Sequence, residues 1–440
     1  MVTRWGFFIT LTLLNLVVLT TIVMWSLWLP TVGWAGQDSD SATRGHIWTP
    51  CLPKKSRQQN SEFYKSWEEA ASGQAYYHPF QSRVRVVLWS DALWWRTGVA
   101  ANKDRRNNRT WYKLCPGRPA CEFTREHMWV SYADAVVFHL PTLPGNYTPE
   151  MMPSKRKVRQ KWVLFSMESP VVTRSKNMTS YAGVFNWTMT YRADSDVVTS
   201  YGSKSLLYNS LRALPANPGK PPRNFAREKD RLAVWFVSNC YAHLTRHHYA
   251  KELRKHLRVD VFGRCGKPIC TDDKRYRSDC FKKTVKRYKF YLSFESYKCK
   301  EYITEKFWRN ALENEVVPVV LGAPKEDYVR LAPPGSFIHA DDFNSPKDLA
   351  LYLKKLARND KEYNKYFRWR SMGFKKNATY DRGRWCNLCD KLIQTCPQER
   401  KMYTDIYRWW KGKEGEEYCE RTLLPEDIPK PHYDLSIHFN

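Results

Sequence analysis

From Leu232 onward the chain alternates short apolar runs with segments of helical pattern, an order that leaves few folds open. Leu232 to Val237 (LAVWFV), Val259 to Gly263 (VDVFG), Lys289 to Phe294 (KFYLSF) and Val316 to Leu321 (VVPVVL) read as strands, being short and rich in β-branched and aromatic residues. His247 to His256 and Thr304 to Asn314 read as helices between them. Strands alternating with helices build a parallel sheet, which takes its ligand beyond the carboxyl ends of its strands. An earlier group of strand-like runs covers Val84 to Trp89, Ala135 to Phe138 and Trp162 to Phe165. Between the groups, Ala213 to Asp230 carries Pro215, Pro218, Pro221 and Pro222 with Gly219, the pattern of a domain linker. The expected architecture is α/β, with two Rossmann-like domains (81–215 and 225–375) facing across a cleft and a cysteine-rich segment, 376–440, after them. No G-x-G-x-x-G fingerprint and no internal repeat is present.

The N-terminus bears on location. Phe7 to Leu29 contains no charge in 23 residues, enough to cross a hydrocarbon core of about 30 Å at about 1.5 Å per residue. A cleaved signal peptide is the alternative, but its apolar region is usually shorter, and Gly33-Trp34-Ala35-Gly36 is no clean cleavage site. Arg4 precedes the span and Asp38 is the first charge after it, which places residues 1–6 in the cytosol and the body in a lumen. Residues 30–80 are polar and read as a stem. Behind the span lie five N-x-Ser/Thr sites, at Asn108, Asn146, Asn177, Asn186 and Asn377, each a candidate glycan acceptor. All twelve cysteines also follow it, as an oxidising compartment allows. Cys386-x-x-Cys389 has no second C-x-x-C or H-x-x-x-H nearby, which favours disulfides over zinc or redox chemistry.

With 72 Lys and Arg against 44 Asp and Glu, the net charge is +28. Such a balance ordinarily points to nucleic acid, heparin or an anionic membrane. A lumenal protein meets little nucleic acid, so anionic sugar nucleotides and acidic lumenal surfaces are the expected partners.

The most informative stretch is Lys289 to Gly322, KFYLSFESYKCKEYITEKFWRNALENEVVPVVLG. With it go FNWTMTYRADSDVVTSYG (Phe185 to Gly202), Met167-Glu168-Ser169-Pro170, Val237-Ser238-Asn239 with Arg246, and SFIHADDFNSPKDLALYL (Ser336 to Leu353). Together, from about Val84 to Cys389, these resemble the α1,3/1,4-fucosyltransferases, glycosyltransferase family ten, in the family's order. The resemblance implies a GT-B-like fold and inverting transfer of L-fucose from GDP-fucose, with no metal and no further cofactor required. It implies a single-pass type II protein of the Golgi membrane acting on glycoprotein N-glycans. Anchor and stem are the expected place for any homodimer.

Residue by residue, the resemblance assigns Glu168, after the strand Trp162 to Phe165, as the carboxylate that takes the acceptor proton. An alcohol attacks well only as its proton leaves. Ser238, Asn239, Arg246, Glu295, Tyr302, Glu305 and Lys306 fall on the donor side. Arg246 and Lys306 would meet the charge that builds on the departing diphosphate, and Glu305 and Tyr302 would contact the fucose or ribose. Ser296 stands where the family commonly has Asn, which removes one donor contact. Asp194-Ser195-Asp196 invites a metal-binding D-x-D reading, but the resemblance favours a structural turn. His247 and His248, adjacent on a helix, face different directions. The resemblance also implies that Cys115 pairs with Cys386 and Cys121 with Cys389, packing 376–440 back on the first domain; the other cysteines have no assigned partners. Pro141 after Phe138-His139-Leu140, and the tail Asp405 to Trp410 with Cys419 beyond, look more like invertebrate enzymes that fucosylate the innermost GlcNAc than like Lewis-type enzymes acting on N-acetyllactosamine. Two other classes fit parts of the pattern: a basic, heparin-binding lumenal receptor, and a transferase using another sugar nucleotide.

Overall fold

The structure, a computed structural model, describes residues 84–90, 112–113, 121–204, 207, 223–240, 245–270, 278–371, 383–395 and 399–420. The expected anchor (7–29) and stem (30–80), Cys51, Cys115, Cys396, Asn108 and Asn377 lie outside the described residues. No helix among the described residues is long and apolar enough to cross a membrane.

Two parallel sheets carry the fold. The first contains β1 (Val84–Leu88), β2 (Tyr112–Lys113), β3 (Cys121–Thr124), β4 (Ala135–His139), β5 (Lys161–Ser166), β6 (Trp187–Thr190) and β7 (Val197–Val198), in the order β2-β3-β1-β4-β5-β6-β7. Only the β2–β3 pair is antiparallel. The second contains β8 (Arg231–Phe236), β9 (Val259–Phe262), β10 (Tyr288–Phe294), β11 (Val317–Leu321) and β12 (Ile338–His339), in the order β12-β11-β10-β8-β9, all parallel. Counted from its own first strand this is 2-1-3-4-5, a doubly wound order whose strand sequence reverses between β8 and β10. The side chains show the double winding. Ala233, Trp235, Phe290, Leu292 and Val319 pack on one face with α1 (Thr245–Arg254) and α4 (Pro346–Ala357). Val234, Phe236 and Tyr291 pack on the other with α2 (Asp279–Lys286); α3 (Lys325–Leu331) lies there with Val320 and Phe307.

The inner strands β4 and β11 are buried on both faces and read as near-continuous apolar runs, whereas the edge strand β9, Val-Asp-Val-Phe, alternates between buried and half-buried residues. Helix α4 starts where Ser345 accepts from Asp348 N–H with Pro346 in the first turn, and buries Leu349, Ala350, Leu353 and Leu356 as one stripe. After the short α5 (Asp360–Asn364), the C-terminal segment returns to the first sheet. There α6 (Arg384–Gln394) buries Cys386, Leu388, Cys389 and Leu392 against β1, β4 and β5. On the opposite face, α7 (Ile406–Lys411) buries Ile406 and Trp410 beside Phe138, Trp162 and Tyr191. Disulfides join Cys121 to Cys389, Cys240 to Cys265, Cys270 to Cys280 and Cys299 to Cys419. Cys386 is also disulfide-bonded.

Three local expectations change. The helix expected over Thr304 to Asn314 is a π-helical turn, Lys306–Ala311, closed by a 3-10 turn, Leu312–Asn314. The wider turn buries Phe307, Trp308, Asn310 and Ala311 together, which a single α-helical stripe does not. The linker expected to reach Asp230 has ended by Arg223, because Arg223 pairs with Glu315, Phe225 stacks on Phe367 and Ala226 enters the core. Asn186, read as a candidate glycan acceptor, is buried: its Nδ2 donates to Lys401 O at 2.9 Å and its Oδ1 accepts from Trp162 N–H at 2.8 Å. The nitrogen that would carry a glycan is committed to the fold. Asn146 and Asn177 are exposed.

Candidate active site

At the switch point of the second sheet, β8 runs out into Val237-Ser238-Asn239 and β10 into Glu295-Ser296. Glu295 has a fully buried side chain. It accepts from Thr304 N–H and Oγ1–H, each at 2.8 Å, and from Lys306 Nζ at 2.9 Å. A Cβ on Gly322 would fall 2.8 Å from Glu295 Cβ, so only glycine admits the glutamate there. Lys306 also donates to Thr304 Oγ1 at 2.9 Å and lies 3.5 Å from Glu305. Burial pushes the Glu295 pKa up against the pull of Lys306. Burial alone would depress Lys306, but Glu295 and Glu305 outweigh it and hold the ammonium above its ordinary value. Glu305 is likewise raised by burial and brought below the usual range by Lys306.

Arg246, in the first turn of α1, is 4% exposed. It is held by carbonyls: Nη1 donates to Phe294 O at 3.3 Å and Nη2 to Asn239 O at 3.1 Å. Its Nε is buried with no hydrogen-bond acceptor. Burial brings its pKa down to about 10, which leaves it cationic at neutral pH. A narrow recess lined by Thr245, Arg246, Glu295, Ser296, Tyr297 and Lys298 opens beside it. Ser238 Oγ accepts weakly from Arg264 N–H at 3.5 Å.

The first sheet contributes Glu168, just past β5. Tyr302 reaches across from the second sheet's side, its hydroxyl donating to Glu168 Oε2 at 3.3 Å. Burial raises the Glu168 pKa, opposed first by the charge of Lys306 and then by the Tyr302 hydrogen bond; Glu305 and Glu295 push it further up. Glu168 therefore shares one electrostatic field with the Glu295–Lys306–Glu305 group. Tyr191 and Tyr201 close the aromatic wall around Tyr302, with ring centroids 5.0 and 6.1 Å away. A Cβ on Gly202 would lie 2.3 Å from Trp308 Cγ, so this glycine lets the end of the first domain close on the π-helical turn.

The structure thus gathers Glu168, Arg246, Glu295, Tyr302, Glu305 and Lys306, with Ser238 and Asn239 at the adjoining strand end. Asp194 is paired with Arg192, and Asp196 accepts from Thr188 N–H, Tyr403 and Lys401. Among the described residues no group of three His, Cys, Asp or Glu is placed to hold a metal ion. His247 is buried against Trp235. Thr304, which seats both Glu295 and Lys306, is marked in the sequence only as the start of the expected helix, although it lies inside the key stretch; Tyr191 and Tyr201 sit in the quoted FNWTMTYRADSDVVTSYG segment.

A fixed arginine at the switch point of a doubly wound sheet, with N–H unspent on any carboxylate, suits an anionic, nucleotide-type ligand. Comparison with known proteins narrows the class. The model for the fucosyltransferase N-terminal region matches residues 81–202, and that for the glycosyltransferase family 10 (fucosyltransferase) C-terminal region matches residues 226–409. The chain is 39% identical over 332 residues to 3-galactosyl-N-acetylglucosaminide 4-α-L-fucosyltransferase of Pongo pygmaeus, covering 76% of this chain and 82% of that one. It is 42% identical to a 4-galactosyl-N-acetylglucosaminide 3-α-L-fucosyltransferase of Pan troglodytes (68% and 77% covered). It is 38% identical to glycoprotein 3-α-L-fucosyltransferase A of Drosophila melanogaster (66% and 54% covered). A solved α1,3-fucosyltransferase with GDP-fucose overlaps 73% of this chain and 93% of its own at 16% identity and a TM-score of 0.43. The chain belongs to glycosyltransferase family 10 and is an α1,3-fucosyltransferase.

Proposed function

We propose that the chain moves L-fucose from GDP-β-L-fucose to the 3-hydroxyl of a GlcNAc in a glycoprotein N-glycan, by one inverting displacement. The observation that carries this reading is the Tyr302–Glu168 hydrogen bond, which joins a carboxylate of the first sheet to the cation–carboxylate group of the second. In the proposed step the acceptor oxygen attacks fucose C1 while Glu168 takes its proton. The bond from C1 to the diphosphate oxygen breaks with its electron pair going to GDP. Arg246 and Lys306 meet the charge gathering on the leaving diphosphate. Glu305 and Tyr302 lie on the fucose side, where a carboxylate favours the positive charge of an oxocarbenium-like sugar. Ser238, Asn239 and Glu295 complete the donor side, Glu295 by seating Lys306. We assign no metal to the chemistry, since the two cations supply the countercharge.

In this reading the two sheets form a GT-B-like pair, 81–215 on the acceptor side and 225–375 on the donor side. The enzyme is a type II protein of the Golgi membrane, anchored by 7–29 and self-associating, if at all, through anchor or stem. For the acceptor we favour the innermost GlcNAc of the N-glycan core, on the strength of the Asp405 to Cys419 tail. A second reading, transfer to antennal N-acetyllactosamine, is favoured by the galactosylated acceptor in the name of the 42%-identical relative. Incubation with GDP-fucose and both acceptors, followed by mass-spectrometric product mapping, decides. Fucose on the core GlcNAc alone supports the first; fucose only on the antenna replaces it with the second.

A further inference from the structure

Lys298 to Tyr302 are held from two directions. The chain's tail lies along them: Lys300 N–H donates to Tyr418 O at 2.7 Å, Glu420 N–H to Lys298 O at 2.8 Å, and Cys299 is bonded to Cys419. That tail is fixed at its other end to the first domain. Tyr403 N–H donates to Phe185 O at 3.0 Å, the Trp410 indole to Thr173 Oγ1 at 2.7 Å, and Lys411 Nζ to Pro170 O at 2.8 Å. The strap therefore spans from one sheet domain to the other.

The second hold comes from the turn after β6. Arg192 is 2% exposed, its guanidinium 4.3 Å from the Trp409 ring centroid and 3.6 Å from that of Tyr418, and it bonds Asp194 and Trp409 O. The next residue, Ala193, donates its N–H to Glu301 Oε2 at 2.7 Å. Glu301 has φ of 60°, a left-handed conformation that a non-glycine residue keeps only where its neighbours over-determine it. They do: Asp327 accepts its N–H at 2.6 Å and Arg330 binds its carboxylate. Tyr302 follows directly, and its hydroxyl is the group that reaches Glu168.

We infer that Arg192, Glu301 and the Cys299–Cys419 link are positioning residues: together they set the approach of Tyr302 to Glu168, although none of them touches a reactant. The inference rests on Glu168 being the base. The charged and titratable groups facing Glu168 are Lys306, Glu305 and Glu295, with the hydroxyls of Tyr302, Tyr191 and Tyr201. Slackening the strap withdraws the Tyr302 hydrogen bond and leaves Lys306 in place. The Glu168 pKa then rises, and a base that must be ionised needs a higher pH to act. One lost hydrogen bond to a carboxylate moves the acid limb of kcat upward by on the order of 1 pH unit.

The test is a set of kcat–pH profiles on full-length enzyme in detergent, for Arg192→Met, Arg192→Lys, Cys419→Ser and Tyr302→Phe, with GDP-fucose affinity measured alongside. Tyr302→Phe sets the size of the shift directly. Arg192→Met and Cys419→Ser are expected to move the acid limb the same way and to lower kcat roughly 10- to 100-fold through misplacement, with donor affinity weakened no further than in Tyr302→Phe. Arg192→Lys, which keeps the charge, should recover part of the shift. Should Cys419→Ser fail to fold, Arg192→Met carries the test. Strap variants that lose only thermal stability and keep the parental acid limb overturn the inference, provided Glu168→Gln abolishes transfer. A Glu168→Gln enzyme with parental kcat removes the underlying reading instead.

Discussion

Replacing Lys306 with methionine takes away a cation that both Glu295 and Glu305 contact, and the cost can be worked from their burial. The Glu295 side chain is fully buried and that of Lys306 is 18% exposed. Removing one partner of a buried pair costs about 3–5 kcal/mol because the other charge is stranded. Glu295 keeps its bonds from Thr304, which places this variant at the lower end, about 3 kcal/mol. The pH dependence has a definite sign. Glu295 is already raised by burial with Lys306 present, so without Lys306 it rises further. A raised carboxylate binds its proton more tightly in the folded state. Stability is therefore retained below the unfolded pKa of about 4.3 and lost as pH climbs through the folded value. Lys306's own ionisation lies above this window. Urea unfolding of parent and Lys306→Met enzyme, followed by tryptophan fluorescence at pH 5 and pH 8, should give the larger deficit at pH 8. An equal deficit at both values, or one below about 1 kcal/mol as for an exposed pair, would refute the reasoning.

Arg246→Ala should lower kcat on the order of 10²- to 10³-fold and weaken GDP binding, since its guanidinium is fixed by carbonyls, neutralised by no carboxylate hydrogen bond among the described residues, and stays charged at neutral pH; steady-state kinetics with GDP calorimetry would check it, and parental values in both would move the donor site elsewhere. Glycopeptide mapping of the secretory-pathway protein should find Asn186 unmodified, with glycans confined to exposed sequons such as Asn146 and Asn177; a glycan on Asn186 of active enzyme would contradict its place in the fold.

The inner parallel strands were legible because they are buried on both faces: Ala135–His139 and Val317–Leu321 announce themselves as apolar runs, and Val84–Leu88 departs from one only at the half-buried Arg85. The strand Trp187–Thr190 did not, since two of its four buried residues are threonines, and the two-residue strands β2, β7 and β12 are too short to carry a pattern. The π-helical turn has no periodic signature, because neighbouring residues rather than one stripe are buried. The residues proposed for the donor side could be named because Glu295, Tyr302, Glu305 and Lys306 lie in one stretch, and Ser238, Asn239 and Arg246 in a second, whose order resembles the family. What could not be read is the meeting of distant segments: Trp410 with Thr173, the tail with Lys298 to Lys300, and Arg192 between two rings of the tail. In a chain this basic nothing local marks Arg192 as buried, and only the return of the tail makes it so. Asn186 is the converse: its sequon is visible, while the neighbours that bury it come from 24 and 215 residues away.

The central claim is that Glu168 takes the acceptor proton while the donor is held elsewhere. Glu168→Gln keeps the shape and the partner for Tyr302 but accepts no proton. Its kcat on the true acceptor should fall about 10²- to 10⁴-fold while its dissociation constant for GDP-fucose, measured on the same preparation, stays near that of the parent. Parental kcat in that enzyme would contradict the account, and weakened GDP-fucose binding with the same loss of rate would move Glu168 to the donor side.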